Sequence, residues 1–252
     1  MSLLLASERA IHCASHNGGW LYLVRRRGVL PGADTFETLR QVDRKNLHIE
    51  AVVCEDDDRG PTRRCSLQEV VECIRYIRPF LHASALRLMT TELKSEELED
   101  FFSALRGLSF ARIYSWNDDR HNDYLRSQLT SGHLRTIHVF RPNRLDKDMQ
   151  TAIEEFALTV SVTDIDCIHL CSSRAFFEEL FESRLETKRK VFRGCFLMDK
   201  NDLLSFRTEW QTEISHSRVW WRRNDGVQLN IFYFATLVDG IEYLHCSLNF
   251  EQ

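Results

Sequence analysis

Five short apolar stretches, each followed by an amphipathic one, return along this 252-residue chain at intervals of about 24 to 38 residues. They are Leu47 to Val53, Ala85 to Thr90, Ser109 to Tyr114, His133 to Phe140 and Cys167 to Leu170. A repeated unit that cannot bury its apolar face alone must stack on its neighbours, so this recurrence constrains the fold more than any single residue. It predicts an α/β leucine-rich-repeat-like solenoid, with parallel strands lining a concave sheet and helices covering the convex side. Strands separated by helices cannot pair as hairpins, so neighbours run parallel through right-handed crossovers. The concave surface of such a fold usually binds another macromolecule. A doubly wound α/β sheet obeys the same rule and is the alternative. It would carry a glycine-rich phosphate turn after its first strand, where this chain has Glu55-Asp56-Asp57-Asp58.

Residues 1–45 are the least regular and read as an N-terminal cap, with Gly18-Gly19 and Pro31-Gly32 marking loops and Phe36, Leu39 and Val42 suggesting a short helix. Residues 46–198 form the repeat region. Its first helix is announced by Ser66 with Glu69, the capping-box spacing, and by the stripe Val70, Ile74 and Ile77. Ser95 begins a second helix with Leu98, Phe101, Phe102 and Leu105 facing inward, and Gly107 closes it. Tyr124, Leu125 and Leu129 mark the third, stopped by Gly132, and Met149, Ile153, Phe156 and Ala157 the fourth. Ser172 or Ser173 caps the fifth, which bears Phe176, Phe177, Leu180 and Phe181. Val191 to Met198 reads as a sixth strand. Residues 199–252 then change pattern: a short helix with Leu203, Phe206 and Trp210 precedes an antiparallel meander. Val219 to Arg223 and Val227 to Ala235 flank Asn224-Asp225-Gly226, and a second turn falls at Asp239-Gly240. The three segments are expected to form one continuous unit.

The net charge of -4 gives no support to nucleic-acid binding, and the basic clusters Arg25-Arg26-Arg27, Arg63-Arg64 and Lys188-Arg189-Lys190 are short. No apolar run approaches the ~18 residues of a membrane span, so no membrane partner is expected. The eight cysteines are scattered, four of them (Cys54, Cys167, Cys195, Cys246) inside expected strands, which reads as reduced thiols in a cytoplasmic or nuclear protein.

Catalytic signatures do not compete with the repeat. There is no G-x-S-x-G elbow, P-loop or kinase set. His12, Cys13 and His16 with Cys167, His169 and Cys171 lack zinc spacing, and alternation places the last three on one strand face. Asp118-Asp119, His121 and Asp123 fit a helix start. No catalytic, cofactor or metal residue is therefore assigned. The tryptophans are more informative. Trp220 and Trp221 are adjacent in a strand and so face opposite ways; one enters the core and the other either packs under a loop, the favoured reading, or is exposed. In the exposed case, flanked by Arg218, Arg222 and Arg223, it has the composition of a protein-binding hot spot.

Three runs of sequence carry a family resemblance: Ile77-Arg78-Pro79-Phe80-Leu81 before Leu86-Arg87-Leu88; Ser95-Glu96-Glu97-Leu98 before Phe101-Phe102; and Val219-Trp220-Trp221-Arg222-Arg223-Asn224-Asp225-Gly226-Val227. Across residues 45 to 250 the chain resembles the nematode F-box-associated domains of the FTH (DUF38) kind. The resemblance implies a leucine-rich-repeat-like adaptor that recruits substrates to ubiquitin ligase assemblies, with a Skp1-type adaptor among its partners. Residues 1–43 depart from that pattern, lacking the Leu-Pro start and three-helix pattern of an F-box. The reading of the whole is a non-enzymatic protein-protein interaction module; its alternative is an enzyme on a doubly wound sheet with a small-molecule site at the strand carboxyl ends.

Overall fold

Alternation of apolar and polar residues builds strands, and stripes at three- to four-residue spacing build helices, in the computed structural model of this chain. It describes residues 7–16, 19–26, 40–41, 47–55, 63–89, 95–116, 119–140, 145–159, 162–184, 190–205, 211–215, 217–222, 228–238 and 241–251. The fold is mixed α/β, and the chain divides into two units, 1–133 and 134–252, a division that falls inside the expected 46–198 repeat region.

In the first unit, β1 (Ser7–His16) and β2 (Gly19–Arg26) form an antiparallel hairpin, and β1 also runs parallel to β3 (Leu47–Glu55). The residues expected to be an irregular cap thus supply two strands. Each of these strands has a neighbour on both sides, β2 pairing onward with β4 (Arg63–Cys65). The expected helix around Phe36 to Val42 lies outside the described residues except for Arg40–Gln41, which are helical.

Helix α1 (Leu67–Ile77) starts as its capping box requires: the Glu69 carboxylate accepts the Ser66 backbone N–H at 2.7 Å and the Ser66 Oγ accepts the Glu69 N–H at 3.2 Å. Two backbone donors that the helix leaves orphaned are thereby satisfied. Val70, Cys73, Ile74 and Ile77 form its buried stripe. Pro79 lies in the first turn of a 3₁₀ segment, Arg78–Ala83, that leads to β5 (Ala85–Met89), and the buried Ser84 hydroxyl donates to the Ile49 carbonyl, tying that segment to β3. Helix α2 (Ser95–Leu105) ends at Gly107 with φ +72°, and α3 (Asn122–Leu129), after β6 (Arg112–Trp116), is followed by Gly132 with φ +74°. Both are positions where a residue with a Cβ would be strained. The strand order of this unit is β6-β5-β3-β1-β2-β4, so the parallel strands β1, β3, β5 and β6 follow chain order without reversal.

The second unit alternates β7 (Thr136–Phe140), α4 (Lys147–Ala157), β8 (Asp164–Ser173), α5 (Arg174–Arg184) and β9 (Lys190–Leu197), its three strands parallel and in chain order. A short helix α6 (Lys200–Leu204) precedes β10 (Gln211–Ser215), β11 (Arg218–Arg222), β12 (Gln228–Val238) and β13 (Ile241–Glu251). These last four strands form the antiparallel meander, which joins the parallel part through β13 on β9. The expected turns at Asn224-Asp225-Gly226 and Asp239-Gly240, together with Arg223, Phe206 and Trp210, lie outside the described residues.

Helices α4 and α5 both lie on one face of this sheet. Ser172 of β8 donates to Glu154 of α4 at 2.6 Å, and Phe177 of α5 packs edge-on against Phe196 of β9 at 5.0 Å, while Ser172 and Phe196 are opposite each other in register. Phe176, Phe177, Phe192 and Phe196 form the aromatic heart of the layer, each such side chain contributing about 1.5–3 kcal/mol on burial.

One expectation about this sheet is overturned. Alternation would put Cys167, His169 and Cys171 on one strand face, but the register of β8 against β9 slips between Asp166 and Cys171. Asp166 lies opposite Arg193 and Cys171 opposite Cys195, so an advance of five positions on β8 matches an advance of two on β9. The irregularity reverses the phase: Cys167 stands opposite Val139 on the helix side, and Cys171 faces the other way. Gln150 of α4 donates to the Cys171 carbonyl at 3.0 Å, supplying a partner to a backbone group beside the slip.

Candidate partner-binding face

The face of the second unit's sheet turned away from α4 and α5 collects the residues singled out by the sequence. Along β11 the alternation is strict: Val219 and Trp221 are fully buried, while Arg218 and Arg222 are exposed and Trp220 is half-buried between them. Trp221 stands opposite Leu229, and Val219 opposite Ile231, both buried. The tryptophan pair is thus divided as strand geometry demands, Trp221 going to the core and Trp220 to the surface.

Cross-strand neighbours enlarge the surface half. Arg218 stands opposite Phe232 in the register of β11 on β12, and its guanidinium lies 5.9 Å from the Trp220 ring centre and 5.7 Å from that of Phe232. Two aromatic faces therefore hold one cation, each contact worth about 0.5–1 kcal/mol where water has access. Phe232 is 41% exposed and Phe234, two residues on, 48%. Phe234 stacks on His245 of β13 at 4.5 Å, which leaves the imidazole only 8% exposed. Gln228, Asn230, Ser247 and Asn249 fill the intervening positions with neutral polar groups.

Farther across the same face the character changes. Asp166 accepts from Arg193, its register partner, at 2.9 Å, and His138 meets Asp164 at 3.1 Å. Between these pairs and Phe234 lies a buried cluster of Cys171, Cys195 and Tyr243. The hydrogen bond with Cys171 and then burial push the Cys195 thiol well above the usual range, and burial alone does the same to Cys246. Both are kept as protonated thiols, without the nucleophilic character of a thiolate. Arg218 and Arg222, by contrast, have no carboxylate partner among the described residues.

In the first unit one pair that invites a catalytic reading is packed away. Ser115 Oγ lies 3.0 Å from His121 Nδ1, a nucleophile-base separation, but both residues are fully buried and Phe102 meets the imidazole edge-on at 5.6 Å. Asp123 forms an ion pair with Arg126 on its own helix. An open groove of about 900 Å³ is lined by Glu99, Asp100 and Arg106 on one side and by Arg120, Asp123 and Tyr124 on the other. A small-molecule pocket of the enzyme alternative would be lined by His48, Asp118 or His138; His138 belongs to the second unit, and the side chain of His48 and residue Asp118 lie outside the described set. Among the described residues no group of three or more His, Cys, Asp or Glu is placed to hold a metal ion, and no helix is long and apolar enough to cross a membrane.

Sequence reasoning named Arg218, Trp220, Trp221, Arg222 and Arg223. The structure brings Arg218, Trp220 and Arg222 to one face, sends Trp221 to the core, and leaves Arg223 outside the described residues. Phe232, Phe234 and His245 were missed. Their signal was present in the phase of β12: Leu229, Ile231 and Tyr233 are the buried set, so the bulky residues at even positions have to face outward. No family model matches the chain, and no curated protein or solved structure matches it either.

Proposed function

We propose that this chain is a non-enzymatic protein-interaction module of the leucine-rich-repeat-like class, whose recognition surface is the exposed sheet face built on Arg218, Trp220, Phe232 and Phe234. The observation that carries the reading is that surface itself. Two aromatics more than 40% exposed and a half-buried tryptophan sit beside two arginines that have no carboxylate partner among the described residues, the composition of a hot-spot cluster. Parallel strands in chain order within each unit, and the crossover helices of the second unit on one face of its sheet, favour the solenoid class over a doubly wound sheet, which would reverse its order once and carry helices on both faces. By resemblance to the F-box-associated domains, the cellular role is that of a substrate-recognition adaptor in a ubiquitin ligase assembly.

Affinity capture with the whole chain, compared quantitatively between the native protein and W220A, tests the reading. The expected result is a stoichiometric protein partner whose recovery falls with W220A while the melting temperature stays near its native value. Capture of no stoichiometric partner, together with turnover of a small molecule, would overturn it in favour of the enzyme reading, for which the groove beside Tyr124 is the first place to look.

A further inference from the structure

Beyond Tyr233 the long strand β12 outruns its neighbour. Strand β11 begins at Arg218, opposite Phe232, and the chain before it turns back into β10, whose Ser215 pairs with Arg218. The Tyr233 N–H still donates to the Ser217 carbonyl at 2.9 Å. From Phe234 to Val238 no described strand covers this edge, although β13 pairs along the other side to the end. Alternate residues turn their N–H and C=O to the same edge, so the groups left open are those of Ala235 and Leu237. Open edges are ordinarily blunted by lysine, proline or a bulge. Phe234-Ala235-Thr236-Leu237-Val238 has no charge and no proline, and its register on β13 is unbroken. Leu237 keeps the phase of the buried Leu229, Ile231 and Tyr233 yet is 72% exposed, and Phe234 and Ile241 are 48% and 46% exposed on the other face.

We infer that this chain forms a symmetric dimer in which the open edge of β12 pairs antiparallel with that of a second copy, centred on Thr236. The inference does not rest on the recognition surface around Trp220. The occupant follows from the edge's own sequence, which is its own complement. About a twofold axis at Thr236, that residue faces its copy, Ala235 faces Leu237 and Phe234 faces Val238. The phase set by the Tyr233 bond makes each Ala235–Leu237 pair the one that exchanges both backbone hydrogen bonds. The small Ala235 leaves room for Leu237, and no like charges meet across the axis, where they would be destabilising. The charged or titratable groups nearest the edge are Glu242, opposite Leu237 on β13, His245, opposite Phe234, and Lys200, whose ammonium lies 6.0 Å from the Tyr233 ring centre; Asp239 lies outside the described residues. Glu213 and Glu251 are level with Asn230 and Gln228, at the far end of β12. In the dimer the two copies of Glu242 stand about 16 Å apart, from roughly 4.8 Å between strands and roughly 3.4 Å per residue, beyond the screening length of about 8 Å at physiological salt. A twofold uses both edges at once, so the assembly closes at the dimer.

Sedimentation velocity of the whole protein at about 0.15 M salt, over roughly 1 to 100 μM, tests the pairing. The average mass should climb from 29.7 kDa toward twice that value. T236K and T236E each set like charges face to face across the axis and should weaken self-association at least about tenfold. An equimolar mixture of the two should restore it, because opposite charges then face each other. Thr236 is half-buried, and circular dichroism melts check that each variant is folded. L237P offers a second route: it removes an N–H that points to the open edge, spares the ladder to β13, and should also abolish the dimer. Four outcomes would overturn the inference: a native chain that stays at 29.7 kDa throughout, growth beyond the dimer, association unaffected by T236K and T236E, or a mixture that associates no better than either variant alone. The first of these would leave the edge to a strand of another protein.

Discussion

Replacing Trp220 and Trp221 with alanine, one at a time, separates surface from core at adjacent positions. Trp221 is fully buried, the largest side chain so placed among the described residues, and its cross-strand neighbour Leu229 is buried as well. Truncation there loses the transfer energy of an indole and leaves a cavity that surrounding strands cannot close, a cost of about 3–5 kcal/mol. Trp220 is half-buried, and what it gives up is partial burial and the contact with Arg218, together about 1 kcal/mol. At roughly 2–4 °C per kcal/mol for a protein of this size, W221A should lower the melting temperature by about 6–20 °C and W220A by no more than about 4 °C. Differential scanning calorimetry reads both, and near-ultraviolet circular dichroism reports whether the remaining tryptophans keep their environment. The binding consequence has the opposite ranking: W220A should weaken partner binding by about 2 kcal/mol, as hot-spot truncations do. Equal losses of stability in the two variants, or a larger loss in W220A, would refute the assignment of faces and with it the location of the proposed surface.

Three further outcomes follow from local geometry. Gly194 in β9 is buried, and a Cβ there would come within 2.9 Å of the Phe192 ring, so G194A should cost about 1–3 kcal/mol in urea unfolding through overpacking of the aromatic layer. S66A removes one half of a reciprocal cap and should cost about 1 kcal/mol, recovered in part by S66D, which restores the acceptor. The thiols of Cys195 and Cys246 have folded-state values raised above the ordinary 9.0. Their contribution to stability is therefore complete at neutral pH and falls as pH rises beyond the unfolded value, by about 1.4 kcal/mol per pH unit for each thiol. The urea midpoint should drop between pH 8 and pH 10, and less steeply in C246A; a midpoint that rose over that interval would contradict the sign.

The helices were the most legible part of this chain because each carried two independent signals. Ser66 with Glu69 fixed the start of α1, its stripe fixed the buried side, and Gly107 and Gly132 marked the ends of α2 and α3 with the positive φ that glycine permits. The cap of α5 was legible to within a choice of two, and Ser173 proves to be the acceptor for the Phe176 N–H at 3.1 Å. The hairpin β1–β2 was missed although its signal was present: Asn17-Gly18, the pair a tight hairpin turn favours, stands between the register partners His16 and Gly19. What misled the reading was the mix of small, polar and aromatic residues from Ile11 to Val24, which shows no clean alternation. At the candidate site, Trp220 and Trp221 could be assigned to opposite faces from adjacency alone, but which went inward depended on the buried Leu229 and Ile231 across the strand gap.

The β8 slip shows that a period-two argument holds only where the strand keeps its register. Strand β11 obeys its alternation throughout, and Arg218, Trp220 and Arg222 land together. Strand β8 breaks phase after Asp166, so the segment before the break places Asp164 and Asp166 on the polar face and the segment after it places Cys171 there. An unbroken strand would instead have turned Cys171 toward α4 and Ser172 away from it. Ser172 would then lose its hydrogen bond to Glu154, and the thiol pair of Cys171 and Cys195 would not form. The slip thus joins two unlike surfaces on one sheet: a row of paired charges, His138 with Asp164 and Arg193 with Asp166, and a closed thiol cluster. Neither presents what β11 and β12 do, exposed rings beside arginines that have no carboxylate partner among the described residues. That contrast within a single sheet face is the physical reason for centring the proposed recognition surface on Trp220 rather than along the parallel strands.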